Sequence, residues 1–345
     1  MRICFYRHSL LSRGGDKMVA AYADNLSSRG HDVSILANQV NTLFQPKSNV
    51  KQISFLKNKG ATIISAIFGK RCCDVIIADI IVLIFFLSWR NNKRIIYFAQ
   101  DYDETYYKST LLKALIRAVY HICLRIQKIP VIAVSHELGQ LLKNRFHADV
   151  TVVPNGVVHN EFYPEIDNEL SALKGDKKVV LVFARSDYRK GFDIAVRVLN
   201  AFRNDIDTKR LLVWAVGEDI DTYIPMMKFG FVMPDKLRKI LSCADVLLYP
   251  SRHEGFGLFV LEAMACGCPV VTTDAVPFAT DQYNALMGSV DDIDALSAHV
   301  RTMLSDDGTR RRIVNAGLET AGKFDVKESM DRFERVLLAN YEKGC

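Results

Sequence analysis

The sequence lacks the features of secreted, membrane-spanning and disordered proteins. Its longest apolar stretch, Val75 to Trp89, is interrupted by Asp79 and Ser88, whereas a membrane-spanning helix needs about 20 largely apolar residues. The first residues contain no apolar segment of signal-peptide length. The proportions of hydrophobic residues, 49%, and charged residues, 24%, exclude a disordered or collagen-like chain. We therefore expect a globular, cytoplasmic protein.

Cysteine occurs without a disulfide pattern. Eight cysteines are scattered through 345 residues, without the dense and regular spacing of a disulfide framework, so we expect reduced thiols. Cys266 and Cys268 have the spacing of half a metal site, but no second pair or nearby histidine cluster completes four ligands. We therefore expect these two cysteines to pack in the core and to bind no metal.

Charge is unevenly distributed along the chain. Residues 1–165 contain 21 Lys and Arg against 12 Asp and Glu, a net charge of +9, whereas the remainder contains 24 against 27, a net charge of −3. The basic half predicts an anionic partner. No nucleic acid is expected, because the chain has no basic cluster with interleaved aromatic residues and no DNA-binding motif.

Short β-branched segments alternate with segments of helical periodicity, which is typical of parallel sheets covered by helices on both faces. We predict one doubly wound α/β domain over 1–160, a polar linker over 161–176 and a second doubly wound domain over 177–325. The final helix, 326–345, is expected to pack back toward the N-terminal domain. Ligands of such folds bind at the carboxyl ends of the strands, so we expect functional residues in strand-to-helix loops facing a central cleft. The predicted strands are 3–5, 33–36, 75–78, 94–98, 131–134, 151–153, 178–183, 211–215, 246–249 and 269–273.

The strongest motif covers residues 251–271 and reads SRHEGFGLFVLEAMACGCPVV. It has the order strand, glycine-rich loop, short helix and strand, with Gly267 placed to cap the helix end. Gly255 and Gly257 allow a ligand to approach the backbone, and the N–H groups that begin the helix can hold a diphosphate. Glu262 lies in a segment too apolar for a fully exposed helix face, and it can reach hydroxyl groups beyond that phosphate.

This segment resembles the retaining GT-B glycosyltransferases of family four, the glycosyl transferases group 1, whose motif has two glutamates separated by seven residues. Glu254 and Glu262 match that spacing. The resemblance implies a GT-B fold of two Rossmann-like domains, in which Glu254 contacts the transferred sugar and Glu262 binds the ribose of a nucleotide sugar. The backbone amides implied to support phosphate and sugar are those of Gly255, Phe256, Gly257 and Leu258.

A second match covers residues 183–193, after the first predicted strand of the second domain. Arg185 and Lys190 stand at the family's spacing for the two cations that bind the diphosphate. The leaving group of the transfer is a nucleoside diphosphate, and fixed positive charge stabilises the negative charge that grows on it. Because such a pair can replace a metal, we expect no obligatory metal and no cofactor besides the nucleotide sugar substrate.

The N-terminal half, which the resemblance makes the acceptor side, carries further matches. Gly14 and Gly15 follow the first strand and open a helix, so their N–H groups can approach a sugar diphosphate. Ser135 stands at a position where the family often has serine. We take all three as substrate-binding candidates.

One position departs from the family. Where many members have a His-Asp pair after the fifth strand, this chain has Gln100 and Asp101. Gln100 cannot act as a titrating base, although a retaining transfer needs mainly hydrogen bonding and charge stabilisation there. We therefore predict Gln100 as substrate-binding and Asp101 as catalytic, beside Glu254, Arg185 and Lys190. The Gln-Asp-Tyr sequence also resembles a subset of polysaccharide enzymes that includes rhamnosyltransferases.

Asp101 and Asp103 leave a second interpretation open. An Asp-X-Asp sequence after a strand is the motif by which GT-A glycosyltransferases hold a divalent metal on the sugar diphosphate. A GT-A protein, however, would leave the cation pair and the glutamate pair of the C-terminal half unexplained.

The predicted helix at 111–128 has a basic stripe, because Lys113, Arg117, His121 and Arg125 recur every four residues. Such a stripe can lie on anionic lipid headgroups. It can also be the solvated face of a helix that covers the sheet, which is the interpretation we favour from sequence alone. The first interpretation fits an acceptor carried on a membrane lipid and a location at the inner face of the cell membrane.

The sequence therefore predicts a hexosyltransferase-type glycosyltransferase (EC 2.4) in cell-surface polysaccharide biosynthesis. It would move a sugar, with retention of anomeric configuration, from a nucleoside diphosphate sugar to a hydroxyl of a glycan or lipid-linked acceptor. The alternatives are a sugar-nucleotide epimerase of the same fold, a non-catalytic glycan-binding protein, and a sucrose- or trehalose-type synthase with a soluble acceptor.

Overall fold

The structure is a computed structural model that describes residues 1–11, 13–42, 45–70, 72–89 and 95–343. The chain folds into two compact units. The first unit consists of Met1–Asn155 and the C-terminal segment from Lys327 onward, and the second is Gly156–Val326. Each unit is built on one parallel sheet, so the predicted α/β class is confirmed.

The sheet of the first unit has seven strands among the described residues, in the order β3-β2-β1-β4-β5-β6-β7, and every pair is parallel. The strands are β1 (Arg2–Leu10), β2 (Asp32–Val40), β3 (Asn49–Gln52), β4 (Val75–Ala78), β5 (Ile95–Ala99), β6 (Val131–Ala133) and β7 (Val150–Val152). The helices are α1 (Gly14–Ser28), α2 (Lys59–Phe68), α3 (Ile81–Ser88), α4 (Thr110–Tyr120) with a π-helical continuation (His121–Ile126), and α5 (His136–Phe146). Arg94, the first residue of the predicted strand 94–98, lies outside the described residues.

The sheet of the second unit has six strands within the described ranges, in the order β10-β9-β8-β11-β12-β13. The strands are β8 (Lys178–Ala184), β9 (Leu211–Gly217), β10 (Met227–Gly230), β11 (Val246–Tyr249), β12 (Val270–Thr273) and β13 (Leu286–Gly288). The helices are α6 (Asn168–Lys174), α7 (Phe192–Asn200), α8 (Arg203–Asp207), α9 (Pro234–Cys243), α10 (Leu258–Ala265), α11 (Ile293–Ser305) and α12 (Asp307–Gly322), and the last helix of the chain is α13 (Val326–Lys343).

Both sheets reverse their direction of winding at one position, between β1 and β4 in the first and between β8 and β11 in the second. The loops that leave the carboxyl ends of these strands run to opposite faces of the sheet and open a crevice between them. Residues after β1, β4, β8 and β11 are therefore placed to meet a ligand within their own unit. The two glycine-containing motifs predicted for the second unit follow β8 and β11.

The apolar stretch at 75–89 forms the predicted strand at 75–78 and one short helix. All four residues of β4 are buried, and α3 buries Ile81, Leu83, Ile84 and Leu87. Across the described part of the chain, no helix is both long and apolar enough to cross a bilayer.

Helix α13 packs into the core of the first unit. Phe333 is fully buried, and its ring stacks on that of Tyr22 with the centroids 4.3 Å apart. The rings of Phe5 and Phe98 lie 6.4 Å and 5.2 Å from Phe333. Residues 344 and 345 of the predicted helix 326–345 lie outside the described residues.

Residues 161–176, for which the sequence predicts a linker, belong to the second unit. Arg238 of α9 holds this segment, because its guanidinium donates to a carboxylate oxygen of Glu165 at 2.5 Å and to the carbonyl of Glu161 at 2.9 Å. Asp167 caps α6 by accepting from the N–H of Leu170 at 2.9 Å. Polar contacts and a helix cap therefore hold this segment in place. Such contacts leave no hydrophobic periodicity in the sequence, so the segment was predicted as an irregular linker.

Candidate functional site

The glycine-rich loop after β11 has a backbone that requires glycine. Gly257 has a φ of 94°, in the left-handed region, and a Cβ atom there would lie 3.1 Å from Val276. Helix α10 begins at the next residue and has no side-chain cap, so the N–H groups of its first turn point out of the helix end. Phe256 packs its ring against Phe278 and Phe324, with centroids 5.2 Å and 5.6 Å away. Its backbone, and not its side chain, is therefore available to a ligand.

Glu254 lies in this loop, and its carboxylate is held by three neighbours. Lys190 Nζ lies 2.8 Å and 2.9 Å from its two oxygens. The Tyr249 hydroxyl donates to Oε1 at 2.8 Å, and Ser251 Oγ lies 2.8 Å from the same oxygen. Burial and the nearby Glu254 carboxylate raise the pKa of Tyr249 well above its ordinary value, which keeps the phenol a donor. The side chain of Glu254 is 6% exposed, so its position is well defined.

The loop from Asp187 to Gly191 brings Lys190 to this place. Gly191 has a φ of 67°, and a Cβ atom there would lie 1.8 Å from the carbonyl oxygen of Pro250. Only glycine allows the loop after β8 to approach the loop after β11 so closely. The side chain of Asp187 accepts from the N–H of Arg189 at 3.1 Å and thereby caps the turn that ends at Lys190.

Arg252 joins the same two loops and was not predicted from the sequence. Its guanidinium binds both carboxylate oxygens of Asp193 at 2.7 Å, donates to Asp291 and to the Tyr188 carbonyl, and lies 3.8 Å from the centre of the Tyr188 ring. The backbone N–H of Arg252 donates to the Arg189 carbonyl at 2.7 Å. The hydrogen bonds from Arg252 hold the pKa of Asp193 below its ordinary value. Arg252 therefore fixes the loop that carries Lys190 against the loop that carries Glu254.

Arg185 and Glu262 lie on the segments that follow β8 and β11. Arg185 follows β8, its Nε lies 3.2 Å from Glu218, and its guanidinium lies 5.8 Å and 5.4 Å from the ring centres of Phe183 and Phe231. Glu262 lies on α10 and is 6% exposed, so it is not a solvated helix residue. Its role and that of Arg185 stay predictions.

Gly15 and Gln100, two of the predicted substrate-binding residues of the first unit, lie together, and Ser135 lies at the start of another helix. Gly15 contacts Gln100, because a Cβ atom on Gly15 would lie 2.8 Å from Gln100 Oε1. Gln100 itself donates to Asp79 at 2.9 Å, a contact that the sequence did not predict. Ser135 directly precedes α5, where its Oγ accepts from the N–H of Leu138 at 3.2 Å, so the structure gives it the role of a helix cap.

Both aspartates of the Asp-X-Asp sequence accept hydrogen bonds from other residues of the first unit. Asp101 accepts from the N–H of Tyr102 at 2.8 Å and from the Tyr106 hydroxyl at 3.2 Å. Asp103 is 6% exposed and accepts from the N–H of Ile81 at 2.6 Å, at the beginning of α3. In the described ranges, no group of three or more His, Cys, Asp and Glu residues is arranged to hold a metal ion.

Part of the chain matches a known protein family. Residues 165–320 match the sequence model of the glycosyl transferases group 1. The matched residues lie within the second unit. An uncharacterized glycosyltransferase of Methanocaldococcus jannaschii is 29% identical over 209 residues, which are 54% of this chain and 53% of the relative. The O-antigen chain mannosyltransferase B of Escherichia coli is 38% identical over 96 residues, 28% of this chain and 25% of the relative. The chain thus spans about half, or less, of the curated relatives it matches.

A solved structure extends the similarity to the whole fold. Anabaena HepE, crystallised with UDP-glucose, has a TM-score of 0.81 and 17% sequence identity, and the match covers 98% of this chain and all of that one. At this identity the similarity concerns the fold, which is the GT-B fold of two Rossmann-like domains. The GT-A fold that the Asp-X-Asp interpretation requires is therefore not the fold of this chain.

Proposed function

We propose that this protein is a retaining glycosyltransferase that moves a sugar from a nucleoside diphosphate sugar to a hydroxyl of a glycan or lipid-linked acceptor. The observation that carries the proposal is the Lys190–Glu254 pair, whose glutamate lies in the loop just before α10. It places a cation, a buried carboxylate and the uncapped N–H groups of a helix within one crevice. A helix start and an ammonium group favour a diphosphate, and a carboxylate favours sugar hydroxyls.

The proposed roles follow from the charge that develops during transfer. As the glycosidic bond breaks, its electron pair goes to the diphosphate, and Arg185, Lys190 and the amides of 255–258 stabilise the added negative charge. Lys190 has three donors, so it can contact a phosphate oxygen and keep a bond to Glu254. The acceptor hydroxyl gives its proton to the leaving phosphate on the same face, which retains the configuration. In this scheme Arg185 and Lys190 stabilise the charge that a metal ion would otherwise stabilise, so the reaction needs no metal.

Two relatives support the substrate classes. HepE was crystallised with UDP-glucose, and its fold matches 98% of this chain. The Escherichia coli relative is named for mannosyl transfer to an O-antigen chain, which is a cell-surface polysaccharide. A nucleotide sugar donor and a polysaccharide acceptor are therefore the classes to test first. The Gln-Asp-Tyr resemblance adds deoxyhexose donors to that list.

The test is a product analysis with UDP, GDP, dTDP and ADP sugars, each offered with lipid-linked and soluble acceptors and with EDTA present. We expect one donor to release its nucleoside diphosphate and to give a product of unchanged anomeric configuration by NMR. Glu254→Gln should lower turnover by about 10²-fold or more, whereas Glu169→Gln, which alters an exposed carboxylate of α6, should not.

The same analysis separates the alternatives. An epimerase would convert the donor without any acceptor, and a synthase would accept free sugars. A glycan-binding protein would release no nucleoside diphosphate with any donor and acceptor, and that result would contradict the proposed function.

We also propose that the first unit contacts an anionic membrane from the cytoplasmic side. Helix α4 exposes Leu111 by 78% and Leu115 by 59%, although its stripe residue Arg117 is engaged by Glu104 at 2.8 Å. The neighbouring helices α2 and α3 expose Phe68 and Trp89, the latter just after α3. Segments 54–73, 80–99 and 105–136 contain no Asp or Glu. Outward-facing apolar side chains among cations match the lipid interface better than they match a merely solvated helix.

Vesicle flotation tests this contact. We expect binding to phosphatidylglycerol vesicles that weakens with salt, and little binding to phosphatidylcholine. The double variant Leu111→Ser/Leu115→Ser should lose binding, whereas Ile166→Ser/Leu173→Ser, which changes exposed apolar residues of the second unit, should not. Equal binding to both lipids, or none, would contradict the contact.

A further inference from the structure

A buried polar network lies at the switch point of the first sheet. Asp79, the residue after β4, accepts from Gln100 Nε2 through Oδ2 at 2.9 Å, and the same oxygen lies 2.9 Å from Arg7 Nη2. That Arg7 nitrogen also lies 2.6 Å from Asp16 of α1. The side chains of Arg7, Asp16 and Asp79 are 10%, 4% and 8% exposed. One network therefore connects β1, the ends of β4 and β5, and the beginning of α1.

The network fixes which way the Gln100 amide points. A carboxylate beside a guanidinium accepts hydrogen bonds, so Asp79 can bind only the NH₂ group of Gln100. The carbonyl oxygen of Gln100 must then point away from Asp79, and it lies against Gly15. A Cβ atom on Gly15 would approach this oxygen to 2.8 Å, so glycine at this position leaves room for the amide.

The carbonyl oxygen of Gln100 is an acceptor that still needs a donor. Within the described residues, Oε1 is buried and has no hydrogen-bond partner. Buried polar atoms in native proteins are nearly always paired, so an unpaired one needs an explanation such as a catalytic role or a bound water or ion. Arg7 Nε and Nη1, Asp16 Oδ2 and Asp79 Oδ1 of the same network also have no partner among the described residues, but Gln100 Oε1 is the one that faces Gly15. The oxygen lies beside Gly15 in the first turn of α1, at the carboxyl edge of the sheet where ligands of this fold class bind. A hydroxyl group is the donor that suits a neutral carbonyl.

We propose that Asp79, anchored by Arg7, is the positioning residue that makes Gln100 present its carbonyl oxygen to a hydroxyl of the sugar substrate. The inference rests on the proposed function, because it takes Gln100 to face a sugar. In this arrangement Asp79 does not touch the sugar. It determines that Gln100 offers an acceptor rather than a donor, and hence that a sugar with a hydroxyl at this place is preferred over its deoxy analogue.

Steady-state kinetics of a double-variant cycle test the inference. Asp79→Asn should raise the donor KM about tenfold, the loss that one misoriented hydrogen bond of about 1.4 kcal/mol produces. Gln100→Met should have a similar effect. If Asp79 acts through Gln100, adding Asp79→Asn to Gln100→Met should change KM by less than about twofold. An undiminished effect of Asp79→Asn in the Gln100→Met background would overturn the inference.

Asp74→Asn is the matched control, since it alters the half-buried carboxylate just before β4, which pairs with Arg2 at 2.8 Å. It should leave KM unchanged. Thermal unfolding of each variant identifies a loss of folding, which would lower the melting temperature and the turnover together.

A measurement that needs no substrate separates this inference from the proposed function. In amide-labelled protein, the side-chain NH₂ signals of Gln100, assigned by their loss in Gln100→Met, should be protected from hydrogen exchange. Asp79→Asn should remove the protection and Asp74→Asn should not. Unprotected Gln100 signals in the wild type would overturn the inference, whereas failure of every donor to react would contradict the proposed function alone.

Discussion

Lys190 Nζ lies 2.8 Å from Glu254 Oε1, although 64 residues separate them in the sequence. Each residue belongs to a motif that was recognised independently, one after β8 and one after β11. Parallel strands β8 and β11 are neighbours in the sheet, so the loops at their carboxyl ends meet. The pair is thus a direct product of the switch point of the second sheet.

Removal of the Lys190 ammonium group should slow the sugar transfer step. In Lys190→Ala the diphosphate loses a fixed positive charge, and the buried Glu254 carboxylate loses its cation. We expect kcat to fall by about 10²- to 10³-fold, as it does when a preorganised charge-stabilising group is removed. Steady-state kinetics with the identified donor measure the effect, and Lys177→Ala, an exposed lysine of the same unit, serves as the control. A kcat close to that of the wild type would exclude Lys190 from the site.

Arg252 should act through the position of Lys190. Arg252→Met removes the bonds to Asp193, Asp291 and the Tyr188 carbonyl, so the loop that carries Lys190 should move. We expect kcat to fall about tenfold or more, since small displacements of a positioned group are costly.

The control for Arg252 is Arg203→Met, because Arg203 also binds a carboxylate, at 2.8 Å, and a main-chain carbonyl, at 2.6 Å, away from these loops. In the Lys190→Ala background, Arg252→Met should have little further effect on kcat. Fully additive effects would mean that Arg252 only stabilises the fold.

Helix α13 should be essential to the stability of the first unit. Phe333 is fully buried among Phe5, Tyr22 and Phe98. Phe333→Ala should lower the free energy of unfolding by about 3 to 5 kcal/mol, the usual result of deleting a buried aromatic ring. Urea denaturation measures the change. Leu338→Ala, a half-exposed position of the same helix, should have a much smaller effect, and equal losses would contradict this packing.

Glu104 should contribute to stability in a defined range of pH. Hydrogen bonds from Arg117 lower the pKa of Glu104 from its ordinary value of 4.5 to about 2. A lowered pKa means that the ionised carboxylate favours the folded state. Its contribution is complete above the ordinary value and is lost as the pH falls toward the folded value.

Urea denaturation of the wild type and Glu104→Gln across this range is the measurement. The wild type should be more stable at neutral pH, and its advantage should shrink as the pH falls from 4.5 toward 2. An advantage that does not change with pH would contradict the assigned interaction with Arg117.

The sequence predicts the parts of the structure that have a local pattern. The strands at 75–78 and 246–249 are predicted at their observed bounds because they are short, buried and flanked by Asp or Pro. Strands β3, β10 and β13 were missed; all three lie at the edges of their sheets, β13 has only three residues, and β3 and β10 are mostly exposed. Without a buried face, a strand has no hydrophobic alternation to recognise.

The candidate site shows the same limit. Lys190 and Glu254 could be predicted because each stands in a glycine-containing motif. Asp79 and Arg252 could not be, because their partners are distant in sequence and their roles arise only when the loops meet. Tyr249 and Ser251 lie five and three residues before Glu254. This proximity in sequence was the signal that could have identified them as partners of Glu254.

The central claim is that the second unit binds a nucleoside diphosphate sugar without metal, and thermal unfolding with UDP, GDP, dTDP and ADP sugars in EDTA tests it most directly. A ligand at 100 times its dissociation constant adds about 2.7 kcal/mol to the free energy of unfolding. We predict that one donor raises the melting temperature in EDTA, and that Glu262→Gln reduces the rise. No rise with any donor, or a rise only when a divalent metal is present, would contradict the account.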